Sequence, residues 1–209
     1  GKRTGLITNQ TGKDAKGRST VQVLAGAKGV TLAALFAPEH GFAGAVEDAM
    51  VSSASLRIGK TDIPIHSLYS GGIAGMRPKA EHLVGLDALV FDIQDIGARF
   101  YTYLATMGMA LEEAAKARIP FMVLDRPNPI NGATVEGPML TDKSLPKLTA
   151  IAYFPVPVRH GLTAGEMARL HNEAVRHPHL EVVKMMNWKR GMCYDQTGLP
   201  WTAPSPNMP

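Results

Sequence analysis

The segment 88–95, with the sequence ALVFDIQD, decides the fold. An apolar run of four residues leads directly into Asp92, Gln94 and Asp95, and a long segment with helical spacing follows at Tyr101–Arg118. Near-continuous apolar strands that alternate with helices are typical of a parallel sheet that is covered on both faces. This segment therefore predicts a strand of a parallel α/β sheet at Ala88–Ile93, with polar residues at its carboxyl end.

The same pattern recurs along the chain. Four further strands are predicted at Thr4–Thr8, Val30–Phe36, Phe121–Leu124 and Leu180–Met186. Further helices are predicted at Val21–Ala27, capped by Ser19 or Thr20, and at Ala164–Arg176, where Thr163 and Glu166 form a capping box. In the last helix Met167, Leu170 and Ala174 are predicted to face the core. Residues Val51–Tyr69 alternate in polarity and predict a hairpin or a small extended excursion. The fold class is a doubly wound, mostly parallel α/β sheet with helices on both faces.

Composition excludes several classes of protein. A chain of 209 residues suits one large domain, or one domain with a small appendage. The net charge of +4 is mild, and basic residues near the start show no aromatic interleaving, so a nucleic-acid partner is not expected. Cys193 is the only cysteine, which excludes a disulfide framework and a cysteine-based metal site. No apolar stretch is long enough to span a membrane, and none of the given residues matches the pattern of a signal peptide.

Polar clusters follow each of the first four predicted strands. They are Asn9-Gln10-Thr11, Pro38-Glu39-His40-Gly41, Asp92-Ile93-Gln94-Asp95 and Asp125-Arg126-Pro127-Asn128, and a fifth, Arg159-His160-Gly161, precedes the last helix. Ligands of open α/β sheets bind outside the carboxyl ends of the strands. These clusters therefore predict one polar crevice. No dinucleotide fingerprint or phosphate-binding loop motif occurs, so no nucleotide cofactor is expected.

The crevice suits acid/base chemistry. Glu39 is a candidate general acid because a carboxyl partly enclosed near Phe36 and Phe42 retains its proton more readily. Glycoside hydrolysis usually needs a second carboxylate about 5 to 9.5 Å away. The candidates are Glu47, Asp48, Asp92, Asp95 and Asp125. Each of them could instead cap a helix or pair with Arg99 or Arg126.

Two other chemistries remain as alternatives. His40 and His160 with Asp92 or Asp95 could form a metal site, although their spacing matches no recognised ligand motif. A nucleophilic triad is disfavoured because no G-x-S-x-G motif exists, and Ser205 lies in a proline-rich tail where a structural role is favoured.

Several segments together resemble one family, the exo-acting β-N-acetylmuramidases. The segments are 5–12 (GLITNQTG), 38–42 (PEHGF), 67–69 (SLY), 91–103 (FDIQDIGARFYTY), 124–129 (LDRPNP), 159–163 (RHGLT) and 204–209 (PSPNMP). The resemblance covers essentially the whole chain. It implies a Rossmann-like domain followed by a smaller C-terminal domain, and removal of terminal N-acetylmuramic acid from the non-reducing end of peptidoglycan fragments.

The resemblance also implies roles for individual residues. The family's catalytic glutamate falls on Glu39, and Glu47 is the nearest match to its second acidic residue. Ala43 and Met50-Val51 depart from the family pattern, so Asp92 or Asp95 could take the second role. A guanidinium suits the lactyl carboxylate of the sugar. The expected substrate-binding residues are Asn9, Gln10, His40, Gln94, Arg99, Tyr101, Asp125, Arg126, Asn128, Arg159 and His160, with Tyr103 as an alternative platform for the sugar ring.

The resemblance further predicts the organisation of the whole protein. Residues 1–200 are expected to form the catalytic domain, and Trp201–Pro209 the start of a linker to a C-terminal domain outside this chain. The isolated chain is then expected to bind its sugar weakly and to turn over slowly or not at all. The rival hypothesis is a non-catalytic muropeptide-binding module. No cofactor is expected, and a periplasmic or secreted location is favoured, with a cytoplasmic one left open.

Overall fold

The computed structural model describes residues 1–44, 54–69, 72–142, 145 and 149–206. Within these ranges one sheet contains seven strands. The strands are β1 (Lys2–Thr8), β2 (Val30–Ala37), β3 (Ala54–Ile58), β4 (Thr61–Ser67), β5 (Ala88–Asp92), β6 (Phe121–Leu124) and β7 (Leu180–Val183). All five predicted strands are confirmed, although β7 ends three residues earlier than expected.

The strand order is β3-β4-β2-β1-β5-β6-β7. All neighbouring pairs are parallel except β3 and β4, which form the predicted hairpin and extend the sheet at one edge. The chain moves from β1 to β2 on one side and returns to β5 on the other side. The switch point of this doubly wound sheet therefore lies between β1 and β5, where such sheets bind ligands.

Four α-helices connect the strands in the described ranges. They are α1 (Thr20–Ala25), α2 (Ala80–Leu83), α3 (Thr102–Ala117) and α4 (Ala164–Val175). The two predicted N-caps are confirmed. The hydroxyls of Ser19 and Thr163 each accept a hydrogen bond from the backbone three residues on, and the side chains of Gln22 and Glu166 complete both capping boxes. These local bonds satisfy amide groups that a helix end leaves unpaired.

Each face of the sheet packs into its own core. On one face, α2, α3 and α4 cover a cluster that includes Phe36, Phe91 and Met107, all fully buried. On the other face, α1 contributes Val21 to a smaller cluster around Leu35. Helices on both faces confirm the predicted fold class.

One prediction of core contacts is wrong. Met167 is fully buried, but Leu170 is 42% exposed, and Ala174 is exposed as well. Helix α4 packs on α3, β6 and β7, and β7 is the last strand of the sheet. A helix at the edge of a sheet has fewer neighbours to cover it, so part of its apolar stripe remains in solvent.

Two histidine rings stack where α2 packs against β4. The rings of His66 and His82 lie 3.7 Å apart, with 14° between their planes. Phe36 packs against His66 at a centroid distance of 5.3 Å. Burial lowers the pKa of His66, and the charge of His82 lowers it further. Burial also lowers the pKa of His82, although Glu81 opposes this change. The fold therefore favours the neutral form of both imidazoles.

We expect the free energy of unfolding to decrease as the pH falls from about 7 to about 5. In the unfolded chain both imidazoles titrate near 6.5, whereas in the fold they accept protons only at lower pH. Their stabilising contribution is therefore complete above pH 6.5 and is lost as the pH falls through the lowered pKa values. Urea denaturation at a series of pH values measures this slope. The His82→Gln variant should reduce this slope. An unchanged slope in His82→Gln would contradict the prediction.

Candidate active site

The carboxyl ends of β1, β5 and β6 are joined by a chain of polar contacts. The Thr8 hydroxyl donates to the Asp92 carbonyl at 2.8 Å. The Thr11 hydroxyl donates to Asn9 Oδ1 at 2.6 Å and accepts from the backbone N–H of Gln94 at 2.9 Å. The Gln94 side-chain amide then donates to the Pro127 carbonyl at 2.8 Å. Three of the predicted polar clusters therefore share one edge of the sheet.

The two remaining clusters, 38–41 and 159–161, join this edge through other contacts. Asn128 Nδ2 donates to the Leu162 carbonyl at 3.0 Å and brings the segment before α4 to the end of β6. Glu39 follows the end of β2, and its Oε2 accepts a hydrogen bond from the hydroxyl of Thr102, the first residue of α3. Residues from all five clusters therefore lie around the switch point.

The turn that carries Glu39 has an unusual backbone. His40 and Gly41 have positive φ angles of 67° and 76°. The Gly41 amide donates to the Pro38 carbonyl at 3.0 Å and closes the turn. A positive φ is rare for residues with a side chain and often marks a functional position. The turn projects a half-buried Glu39 side chain from the end of a strand whose last four residues are buried.

Asp92 is held by a compact charge network. Arg126 Nε lies 2.5 Å from Asp92 Oδ1, and Arg126 Nη2 donates to Oδ2 at 3.0 Å. The Thr20 hydroxyl also donates to Oδ2. Asp92 is only 2% exposed, and a buried carboxylate is stable only when it is paired and hydrogen-bonded. These contacts use both oxygens of Asp92 and neutralise its charge.

Asp125 forms the bridge between β6 and α4. Its Oδ1 accepts from the Gly165 amide at 2.8 Å, and its Oδ2 accepts from the Thr163 hydroxyl at 2.9 Å. Burial raises the pKa of Asp125, and these hydrogen bonds oppose the change. The Asp125 carboxyl therefore lies against the N-terminus of α4.

The two other candidate arginines bind carbonyl groups of the chain. Arg99 Nη1 donates to the carbonyls of Pro138 and Val156 at 2.9 and 2.6 Å. Arg159 donates to the Ile130 carbonyl and lies 2.6 Å from a carboxylate oxygen of Glu136. Arg126 and Arg159 therefore each have a carboxylate partner, whereas Arg99 donates to neutral carbonyl groups within the described part of the chain.

Asp95 and His160 form a buried pair. Asp95 Oδ2 accepts from the Gly97 amide at 2.7 Å and lies 3.8 Å from His160 Nε2. His160 Nδ1 accepts from the Leu162 amide at 3.1 Å, which places the proton of the neutral ring on Nε2. Asp95 Oδ1 and His160 Nε2 have no hydrogen-bond partner among the residues described. Asp95 thus differs from Asp92 and Asp125 because one of its oxygens is uncommitted.

Other buried polar atoms at this edge are also uncommitted. Gln10 Oε1 and Gln94 Oε1 have no partner within the described part of the chain. A buried polar group without a partner costs about 1–3 kcal/mol, and native structures contain few of them. Their concentration at the strand ends therefore favours a site for a ligand with several hydroxyl or amide groups.

The tail contacts this site directly. Gln10 Nε2 donates to the carbonyls of Ala203 and Pro204 at 2.9 and 3.0 Å, and the Tyr103 hydroxyl donates to the Pro204 carbonyl at 2.5 Å. Ser205 is 4% exposed. Residues 201–206 form no helix or strand, which agrees with their proline content. No pattern in the sequence predicts that this segment packs beside the crevice.

The two tyrosines differ in accessibility. Their rings meet edge to face, with centroids 4.9 Å apart. Tyr103 is 1% exposed and belongs to the core, whereas Tyr101 is half-buried. Burial raises the pKa of the Tyr101 hydroxyl, and the carboxylates of Asp95 and Glu39 add to the rise. Tyr101 therefore lies within electrostatic reach of both carboxylates.

Some predicted features receive no structural description. Glu47 and Asp48 lie at 45–53, outside the described residues.

Among the residues that are described, no group of three His, Cys, Asp or Glu side chains is arranged to hold a metal ion. No described helix has both the length and the apolar character needed to cross a bilayer. Sequence reasoning did not select Thr102, although a threonine that begins a helix beside a polar strand end is a usable signal.

The fold and the site together define a Rossmann-like α/β domain with a carboxylate-bearing polar site at its switch point. The family described as "Exo-beta-N-acetylmuramidase NamZ, N-terminal" matches residues 4–209. The chain belongs to this family. It is 45% identical over its whole length to the peptidoglycan beta-N-acetylmuramidase NamZ of Bacillus subtilis (strain 168), of which it covers 49%.

Solved structures agree with this assignment. A DUF1343 family protein from Bacteroides fragilis NCTC 9343 superposes with a TM-score of 0.85 at 44% identity over 99% of this chain and 51% of its own. A second DUF1343 family protein from the same organism has a TM-score of 0.72 at 31% identity over 92% of this chain and 49% of its own. The chain therefore spans about half the length of the relatives it matches.

Proposed function

We propose that the protein is a glycoside hydrolase that releases terminal N-acetylmuramic acid from the non-reducing end of peptidoglycan fragments, with Glu39 as the acid/base. The observation that carries this proposal is the position of Glu39. It projects from the end of β2 toward the switch point, and its Oε2 is held by Thr102. The name of the Bacillus subtilis relative supports the reaction and the polymer.

We propose Asp95 as the partner carboxylate among the described residues. Asp92 and Asp125 each use both oxygens in hydrogen bonds within the chain, so neither is free to act on a sugar or a water molecule. Asp95 keeps Oδ1 uncommitted and, like Glu39, raises the pKa of Tyr101. Glu47 remains the alternative that the family resemblance indicates.

The remaining polar groups suit an acetamido sugar. Gln10 Oε1 and Gln94 Oε1 can accept from a hydroxyl or an amide N–H, and His160 Nε2 can donate to a carbonyl. Arg99 is the best placed of the three arginines for the lactyl carboxylate, because its partners are neutral carbonyl groups. Tyr101 offers a half-buried ring as a platform for the sugar.

One measurement distinguishes a catalytic protein from a muropeptide-binding module. The full-length protein should release the chromogenic group from an aryl β-N-acetylmuramide, and it should not act on the α-anomer. A muropeptide-binding module would bind the sugar without release. Activity that is lost on chelation and restored by a divalent metal would instead support a metal-dependent hydrolase.

Replacement of Asp95 by Asn should lower kcat about 100-fold, because the carboxylate that assists the reaction is lost while the shape of the side chain is kept. Steady-state kinetics with the same substrate measure this change. Asp87→Asn is a matched control, since Asp87 binds the Arg3 amide at the opposite end of the sheet. Equal rates for Asp95→Asn and the parent would indicate that Glu47, and not Asp95, is the second catalytic carboxylate.

A further inference from the structure

Helix α3 begins without a local cap. Its N-cap residue, Tyr101, makes no side-chain capping bond, and the first turn contains no acidic residue. A carboxylate near a helix N-terminus is favourable because the amide dipoles there point toward it. Glu39 supplies this negative charge from a different element, the end of β2, through its contact with Thr102.

Two threonines on this helix use their hydroxyls differently. Thr106 donates to the Thr102 carbonyl at 3.1 Å, the bond that a threonine inside a helix usually makes. Thr102 instead donates to Glu39 Oε2, 63 positions away along the chain. In the part of the chain that the structure describes, the Thr102 hydroxyl makes no bond to the backbone of its own helix. Its hydrogen bond therefore orients the Glu39 carboxylate rather than supporting the helix.

This contact makes the two oxygens of Glu39 unequal. An ionised carboxylate can only accept hydrogen bonds, so the Thr102 hydroxyl must be the donor. While Oε2 accepts this bond, a proton on the carboxyl is more favourable on Oε1. The contact also restricts rotation of the carboxyl group, and small changes of catalytic geometry have large effects on rate.

We propose that Thr102 is a positioning residue that fixes the Glu39 carboxyl and directs proton exchange with the substrate through Oε1. This inference rests on the proposed role of Glu39 as acid/base. Thr102 contacts the carboxyl and not the reacting sugar, so it acts on the rate through Glu39.

The test compares Thr102→Val and Thr102→Ser in the full-length protein. Val removes the hydroxyl at nearly constant shape, and Ser keeps it. Thr102→Val should lower kcat about tenfold and leave KM nearly unchanged, because a poorly oriented acid affects the chemical step. It should also move the Glu39-dependent limb of the pH profile upward, since a donor to the ionised carboxylate is lost. Thr102→Ser should restore both values.

Thr106→Val is the matched control. It removes a hydroxyl from the same helix, one turn further on, and should leave the pH profile unchanged. A merely structural role of Thr102 would lower the urea midpoint of Thr102→Val without moving the limb. An unshifted limb in Thr102→Val would overturn the proposal.

A second measurement separates this inference from the proposed function. In protein labelled with ¹³C at glutamate carboxyls, the Glu39 signal is the one that Glu39→Gln removes, and its titration is followed by NMR in the parent and in Thr102→Val. An upward shift in Thr102→Val supports the contact whether or not the protein is active. Retained activity in Glu39→Gln would instead refute the proposed role of Glu39 as the acid/base, whereas an inactive Glu39→Gln with coincident titrations would refute only the role of Thr102.

Discussion

Glu39→Gln should lower kcat of the full-length protein on an aryl β-N-acetylmuramide by about 1,000-fold, while the sugar should still bind. Gln keeps the length and the hydrogen-bonding shape of the side chain but cannot exchange the proton that general acid catalysis requires, and such groups contribute about 10²- to 10⁴-fold. The Thr102 hydroxyl can still donate to the amide oxygen of Gln, so the turn and the start of α3 should remain in place. Steady-state kinetics and calorimetric binding of N-acetylmuramic acid measure the two parts of this result.

Glu181→Gln provides the matched control, because Glu181 is an exposed residue on β7. Its kinetics and its urea midpoint should equal those of the parent. Loss of both binding and folding in Glu39→Gln would point to a structural role for the glutamate. Activity within tenfold of the parent would remove Glu39 from the reaction.

Arg126→Met should destabilise the fold by about 3–5 kcal/mol, the range measured when one member of a buried ion pair is removed. The substitution keeps most of the apolar stem but leaves Asp92, which is 2% exposed, without its cation. It also removes the hydrogen bond from Arg126 to the Lys13 carbonyl, so the ends of β1 and β6 lose a direct connection. Urea denaturation followed by circular dichroism measures the change.

Two comparisons make this prediction specific. Arg18→Met removes an arginine whose ion pair with Asp14 lies on the surface, and surface pairs contribute only about 0–1 kcal/mol. Combining Arg126→Met with Asp92→Asn should recover part of the loss, because the buried charge is removed as well. Parental stability in Arg126→Met, accompanied by a large loss of activity, would return Asp92 to the list of catalytic carboxylates.

The strands and caps could be predicted from sequence because they depend on neighbouring residues. The apolar run at 88–91 and its polar end are sufficient to place β5. Thr163 and Glu166 similarly identify the start of α4, since both partners of the capping box lie within one turn. The family resemblance extended these local features to a Rossmann-like domain and to Glu39 as the expected catalytic glutamate.

The apolar stripe of α4 shows where such patterns are insufficient. Its spacing is helical, but Leu170 is exposed because α4 lies at the edge of the sheet. Position in the sheet is a property of the whole topology. The pattern of one helix therefore does not reveal how many neighbours the helix will have.

By itself, the sequence determined the doubly wound class, the polar strand ends and the acidic turn that carries Glu39. Only the tertiary structure decided which charged groups are already compensated. Asp92 meets Arg126 across 34 positions, and Glu39 meets Thr102 across 63. Whether a carboxylate is free to act depends on such partners, because a paired charge is stabilised in place and an uncommitted oxygen is available to a substrate. Side chains distant in sequence become partners only when the sheet brings the strand ends together.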